Sequence, residues 1–406
     1  MDEKSEMNGD AGKTAQKLNV VFMAELPYPK GMAGTKRIQH AIDALRGYNA
    51  NCSVIITRQK TKFNQPAGVY QDTPYRTIMP DLIGWRFGLL LPVLVVKSCN
   101  LIRRSFIEGS KNVLFIYEAP SLSNIFTTIY ARHIGFVIVF DIVEDIDYAM
   151  DIANNPNHKV KMLVGRNLTN ILAKIADGIV VISSRLKEKF SRLTRGRVPL
   201  HVRPISIDPD RFRSSSESFS TEPKMIYSGS FGVKDGVPQL LDAFDRLAVR
   251  HGSLRLIMTG TGSDQKMKEA LDRINASPAK NRIEYLGYLD DEKYYAVLSD
   301  ADIPCMTRME SDYANAGFPF KLGEFLATGK PVIASNVSDI GVYLEDRQDV
   351  MLVKPGDAGE IEAAVEYLLS NQNIALKIGK SGRDKALQLF DYRLQGRALL
   401  DFLHAV

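Results

Sequence analysis

Short apolar runs alternate with helix-patterned stretches along nearly the whole chain, in two successive series. The first has runs at Asn19–Ala24, Ser53–Thr57, Val113–Tyr117, Val137–Phe140 and Gly178–Ile182, with a helical pattern over Thr35–Leu45. The second has runs at Lys224–Tyr227, Leu254–Thr259, Ile283–Leu286, Ile303–Met306, Pro331–Ala334 and Val350–Val353. Helical patterns over Val237–Arg250, Asp264–Ile274, Glu292–Ser299, Lys321–Ala327 and Ala358–Ser370 separate the runs of this second series. Such alternation predicts parallel sheets covered by helices. The expected fold class is α/β, with two Rossmann-like doubly wound domains facing each other across a cleft.

The 406 residues suit two domains of about 200 residues each. The polar residues 1–17 read as a disordered tail. Residues 18–203 form the first domain, 204–222, rich in Pro, Ser and Asp, a linker, and 223–385 the second domain. A C-terminal helical stretch, 386–406, is expected to pack back on the first domain.

Composition narrows the function classes. Hydrophobic residues are 45% and charged residues 24%, as in a globular protein. The net charge of +5 is spread along the chain, without the aromatic-interleaved basic stripe of nucleic-acid binders, so no nucleic-acid partner is expected. Cys52, Cys99 and Cys305 show neither paired nor metal-ligand spacing, which suits a reducing cytoplasm. The region 81–104 has two readings: a core helix kinked at Pro92, or a helix lying peripherally on the inner, anionic membrane face. The first is preferred, because buried helices are common and the polar face here is poorly defined.

Glycine loops follow the runs that open each series. Gly31 and Gly34 stand between the first run and the first helix, and Gly229, Ser230 and Gly232, with Lys234, stand in the corresponding place of the second series. Such turns expose amides to an anion, although many strand-to-helix turns need glycine only to turn. Gly260 and Gly262 follow the next run, and Leu286 and Gly287 the one after, so their backbone groups could hold a nucleobase. Glu324 lies in an otherwise apolar short helix, where an ionised carboxylate needs partners. A ribose with vicinal hydroxyls is one such partner; a salt bridge to Lys321, three residues earlier, is the other. In the first half, Asp145 is the leading candidate for orienting the acceptor or the sugar, with Asp141 and Glu144 as competitors and a helix-capping role as the alternative.

The run Phe318–Ser335, together with Tyr227–Gly236, Leu286–Tyr288 and Ala301-Asp302, resembles the retaining glycosyltransferases of family four, which have the GT-B fold. The resemblance implies a nucleotide-sugar donor, with UDP or GDP as its nucleotide, held mainly by the second domain. It implies an acceptor held by the first domain, and transfer that uses no metal or other cofactor. Glu324 would then bind the ribose, Ser230 and Lys234 would lie near the diphosphate, and Gly31 to Gly34 would approach it from across the cleft. Two positions depart from the pattern. Ala316 stands where an acid that commonly contacts the transferred sugar is expected, and Ser230 replaces a basic residue, leaving the phosphates to Lys234, Lys321 and backbone amides. Asp145, Lys234 and Lys321 are the expected catalytic residues. A non-catalytic sugar-nucleotide-binding protein and a nucleotide-sugar epimerase of the same architecture remain the rival readings, and the acceptor is unnamed.

Overall fold

A computed structural model describes residues 16–59, 64–80, 85–118, 122–145, 147, 156–212 and 218–406. Outside them lie residues 1–15 of the expected tail, 81–84 of the segment with two readings, and 213–217 of the expected linker.

The first sheet contains β1 (Leu18–Ala24), β2 (Asn51–Gln59), β3 (Ala67–Tyr70), β4 (Thr73–Pro80), β5 (Lys111–Tyr117), β6 (Val137–Ile142), β7 (Gly178–Val181) and β8 (Leu200–Val202). Its order is β3-β4-β2-β1-β5-β6-β7-β8. Every residue of β1 is buried, as a strand covered by helices on both faces must be. Those helices are α1 (Ala33–Arg46), α2 (Trp85–Arg104), α3 (Leu122–His133), α4 (Pro156–Leu172) and α5 (Ser184–Thr194). The connection from β1 to β2 runs one way along the sheet, whereas those from β4 to β5, β5 to β6 and β6 to β7 run the other way. Right-handed crossovers therefore put α1 on one face and α2, α3 and α4 on the opposite face.

The second sheet contains β9 (Lys224–Gly229), β10 (Arg255–Gly260), β11 (Ile283–Tyr285), β12 (Ile303–Met306), β13 (Ile333–Ser335) and β14 (Met351–Val353), in the order β11-β10-β9-β12-β13-β14 with parallel pairings. Its helices are α6 (Val237–Arg250), α7 (Asp264–Asn275), α8 (Asp291–Asp300), α9 (Asp312–Ala316), α10 (Phe320–Ala327), α11 (Ile340–Tyr343), α12 (Ala358–Ser370) and α13 (Gln372–Phe390). A last helix, α14 (Tyr392–Ala405), lies against α1, where a side chain at Gly396 would strike Ala44 at 2.4 Å. Strand order reverses between β1 and β5 and again between β9 and β12, and crevices open at such reversals.

Strands β3, β4 and β8 and helix α13 lie outside the expected pattern. The hairpin of β3 and β4 adds an antiparallel edge to the first sheet; β3 is largely exposed and contains Gly68, so no apolar run marks it. Helix α13 carries Gly379 and Gly382 in mid-helix, which weakens its helical signature. Packing requires both glycines, because an added Cβ would lie 2.3 Å from Gly329 O and 2.3 Å from Asp349 O respectively.

Candidate active site

Both strand-order reversals open onto one cleft between the two lobes, and the loops leaving β1, β9 and β12 line it. A cavity of about 240 Å³ is walled by Gly31 and Lys36 of the first lobe and by Ser230, Lys234, Arg308 and Glu324, among others, of the second. An adjoining cavity of about 180 Å³ brings together Tyr117 and Glu144 of the first lobe and Tyr313 of the second. Ala33, Lys234, Arg308 and Phe320 line both, so the two spaces meet at Lys234 and Arg308.

Glu324 sits on α10, whose residues from Leu322 to Ala327 are all buried. The carboxylate is 2% exposed and every partner a buried charge needs is present. Lys36 approaches Oε1 at 3.2 Å and Lys321 approaches Oε2 at 3.1 Å. Tyr294 and Tyr295 of α8 donate their hydroxyls at 3.0 and 3.1 Å. Burial alone would raise the Glu324 pKa, but the charges of Lys321 and Lys36 outweigh it and bring the carboxyl down to about 2. Lys36 also donates to Tyr295 Oη at 2.9 Å and pairs with Asp291 at 3.3 Å, so one lysine of the first lobe ties three residues of the second across the cleft. Burial pulls the Lys36 pKa down, yet Glu324 more than reverses this and holds it above the ordinary lysine value. For Lys321, whose ammonium lies 3.7 Å from the centre of the Tyr294 ring, burial wins and the pKa falls.

Lys234 and Arg308 are placed differently. Lys234 belongs to the short 3-10 turn Val233–Asp235 after β9, and Arg308 stands two residues beyond β12. Lys234 packs 4.5 Å from the centre of the Tyr313 ring and reaches its hydroxyl at 3.5 Å. Among the described residues neither cation has a carboxylate ion-pair partner. Burial lowers the pKa of each, and mutual repulsion adds to this at Lys234. Two partly desolvated cations without an anion form a site that gains by accepting one.

The remaining expected residues separate into two groups. Gly31, Gly229, Ser230 and Gly260 line the larger cavity, where Ser230 Oγ donates to Asp235 at 2.5 Å. Gly34, Gly262, Leu286 and Gly287 line neither cavity. Gly34 lets α1 close on Tyr117, whose hydroxyl would lie 2.7 Å from an added Cβ. Gly287 accepts hydrogen bonds from Gly260 N at 2.9 Å and Thr259 Oγ1 at 2.7 Å, which fixes one loop on the next. Gly260 itself has φ +122°, and a side chain there would meet Gly229 O at 1.9 Å. Glycine here lets two loops touch.

Asp145 lies apart from both cavities. It ion-pairs with Lys189 of α5 and accepts the Asp147 N–H at 3.0 Å. Its predecessor Glu144 faces the cleft and accepts the Tyr313 hydroxyl at 2.6 Å. The chain bends at Glu144, beyond the end of β6, so one position along it decides which acid meets the cleft. Asp141 is fully buried between Arg37, which reaches it through two nitrogens at 2.7 and 2.8 Å, and Arg203 at 3.1 Å. It braces the first lobe from within. Sequence reading missed Lys36, Arg308, Tyr294 and Tyr295. Arg308 alone carried a usable signal, as a cation just past the carboxyl end of an apolar run, where ligands of such sheets bind.

Comparison with known proteins defines the class to which this geometry belongs. The two parallel-sheet domains are the GT-B fold. A sucrose-phosphate synthase from Thermosynechococcus elongatus superposes with a TM-score of 0.74 at 16% identity, over 96% of this chain and 100% of that one. The Anabaena protein Alr3699/HepE in complex with UDP-glucose gives a TM-score of 0.71 at 17% identity, over 95% and 100% of the two chains. Residues 208–385 match the family model of the glycosyl transferases group 1. Among curated relatives, the glycogen synthase of Mycobacterium tuberculosis is 23% identical over 281 residues, which are 68% of this chain and 61% of that protein. The chain thus spans about three fifths of the length of the curated relatives it matches first. The family match likens residues 208–385, essentially the second lobe, to the group 1 glycosyl transferases.

Proposed function

We propose that the chain transfers a sugar, with retention of configuration and without a metal, from a nucleotide sugar to an acceptor held by the first lobe. The observation that carries this reading is the pair Lys234 and Arg308, free of carboxylate ion pairs among the described residues, where two cavities meet. A nucleotide sugar has a nucleoside on one side of its diphosphate and a sugar on the other, so its negative charge belongs at such a junction. In this reading Glu324 accepts hydrogen bonds from the ribose hydroxyls, and the donor takes over part of the role that Lys36 and the tyrosines fill. Ser230, Gly229 and Gly31 border the diphosphate, and Lys321 holds Glu324 ionised. The UDP and UDP-glucose bound to the Anabaena protein make UDP-sugars the first donors to test and GDP-sugars the second.

The chemistry follows from the charges. As the bond from the anomeric carbon to the diphosphate oxygen breaks, negative charge grows on that oxygen and Lys234 and Arg308 stabilise it; one such preorganised donor is worth about 3 kcal/mol. The acceptor hydroxyl attacks from the same face, forms the new carbon–oxygen bond, and passes its proton to the departing phosphate. With Ala316 unable to supply a carboxylate, Glu144 is the acid assigned to the sugar. The reading places the enzyme in the cytoplasm, acting on a glycan, a small molecule or a lipid-linked acceptor, with 81–104 as a peripheral contact with the inner membrane face.

Incubation with UDP- and GDP-sugars, with release of the nucleoside diphosphate followed by chromatography and the anomeric configuration of the product read by NMR, tests the reading. Retained configuration and loss of release in Arg308→Ala are expected. A donor converted without any second substrate to a different sugar nucleotide would sink it, as would an inverted product.

A further inference from the structure

Helices α2, α3 and α4 cover one face of the first sheet, and not one of their residues is Asp or Glu. Elsewhere carboxylates are frequent, 47 in 406 residues, and the exposed helix pair α6 and α12 carries several, Asp242, Glu362 and Glu366 among them. The bare face is also apolar. On α2 the residues Leu94, Ser98 and Ile102 turn inward, which leaves Val93 and Val96 outside, Val96 at 58% exposure. On α3, Phe126 and Ile129 are 56% and 53% exposed, and Ile171 and Ile175 continue the surface at the end of α4. These side chains are neighbours rather than scattered, because α2 packs on α3 and α3 on α4, and Arg132 at the end of α3 donates to Ile175 O at 2.6 Å. Lys97, Arg103, Arg104 and Lys174 stand exposed around them. Among the described residues the nearby carboxylates are Asp177, held by Arg132 at 3.1 Å, Asp147, held by Arg166 of α4 at 3.6 Å, Glu108 in the turn beyond α2, and Glu188 on the adjoining α5, paired with Arg192 at 3.1 Å.

We infer that this three-helix face docks on an anionic lipid bilayer, which extends the lipid contact assigned to 81–104 and stands independently of the transfer chemistry. Exposed apolar side chains rimmed by lysine and arginine match the interfacial region of a membrane, where hydrocarbon and negative headgroups lie together. A second copy of the chain is the poorer occupant, since a two-fold contact would set this carboxylate-free, basic face against itself. The helices begin where β4, β5 and β6 end, so a bilayer on this face lies beside the first-lobe wall of the cleft. A lipid-linked acceptor could reach the site from there.

Sedimentation of the full chain with vesicles tests this, using phosphatidylcholine alone and phosphatidylcholine mixed with phosphatidylglycerol. Binding to the mixed vesicles only is expected, reduced by high salt. Reversal of two surface charges in Lys97→Glu/Arg104→Glu lowers the partition coefficient by roughly tenfold or more. Phe126→Asp/Ile129→Asp, at positions already in water, abolishes binding, whereas Val249→Asp, on the exposed surface of the second lobe, leaves it unchanged. Equal binding to neutral vesicles, no binding to either kind, or unaltered binding by the Phe126/Ile129 variant overturns the inference. So does a dimer in sedimentation velocity that this variant dissociates while vesicles are ignored. Nucleotide-sugar turnover in solution is unaffected by any of these outcomes, so failure here is distinguishable from failure of the transferase reading.

Discussion

Replacing Glu324 by glutamine keeps the side chain's shape and removes its charge, and the cost is calculable from the site. The carboxyl titrates at about 2 in the folded protein against an ordinary 4.5, and each pKa unit is worth about 1.4 kcal/mol. The ionised group therefore contributes about 3 kcal/mol to stability at neutral pH. The same figure follows from the other side of the network, since deleting one partner of a buried ion pair costs about 3 to 5 kcal/mol, and here it leaves Lys321 without its anion and Lys36 with Asp291 alone. The pKa is depressed on folding, so this stability is present above about 4.5 and is lost as the pH falls through about 2. Urea unfolding of wild type and Glu324→Gln, followed by circular dichroism across that pH range, should show a gap of about 3 kcal/mol near neutrality that closes in acid. A gap under about 1 kcal/mol at neutral pH, or one of constant size down to the acid limit, would refute the reasoning.

Further substitutions separate roles within the cleft. Lys234→Ala and Arg308→Ala should each lower kcat/KM roughly a hundredfold with UDP-sugar donors while leaving urea midpoints close to wild type, because each loses a cation that has no anion to abandon. Glu144→Gln should lower kcat, whereas Asp145→Asn should keep it within about twofold; the reverse result in a transfer assay would restore Asp145 to the site. Asp141→Asn strands Arg37 and Arg203 in the core and should destabilise by about 3 to 5 kcal/mol, read by thermal unfolding. Gly260→Ala combines a positive φ with a collision and should cost about 1 to 3 kcal/mol while weakening donor binding measured by calorimetry.

The paired series of strands and helices was readable from local pattern because burial on both faces demands continuous apolar runs, and their order demands parallel pairing. Glu324 was readable for a similar reason, as a single charge amid Leu322, Phe325 and Leu326 calls for partners wherever it is buried. The β3–β4 hairpin and α13 escaped because exposure blurred the first and close-packed glycines blurred the second. What no local pattern holds is the meeting of the lobes. Lys36 and Glu324 are 288 positions apart, and Tyr313 reaches Glu144 over 169. Neither residue of either pair marks the other, because which side chains oppose one another depends on how the two sheets are set across the linker. The same holds at the end of β6, where the sequence placed three acids together. Only the direction of the emerging backbone sends Glu144 into the cleft, Asp145 to Lys189 and Asp141 into the arginine-lined core.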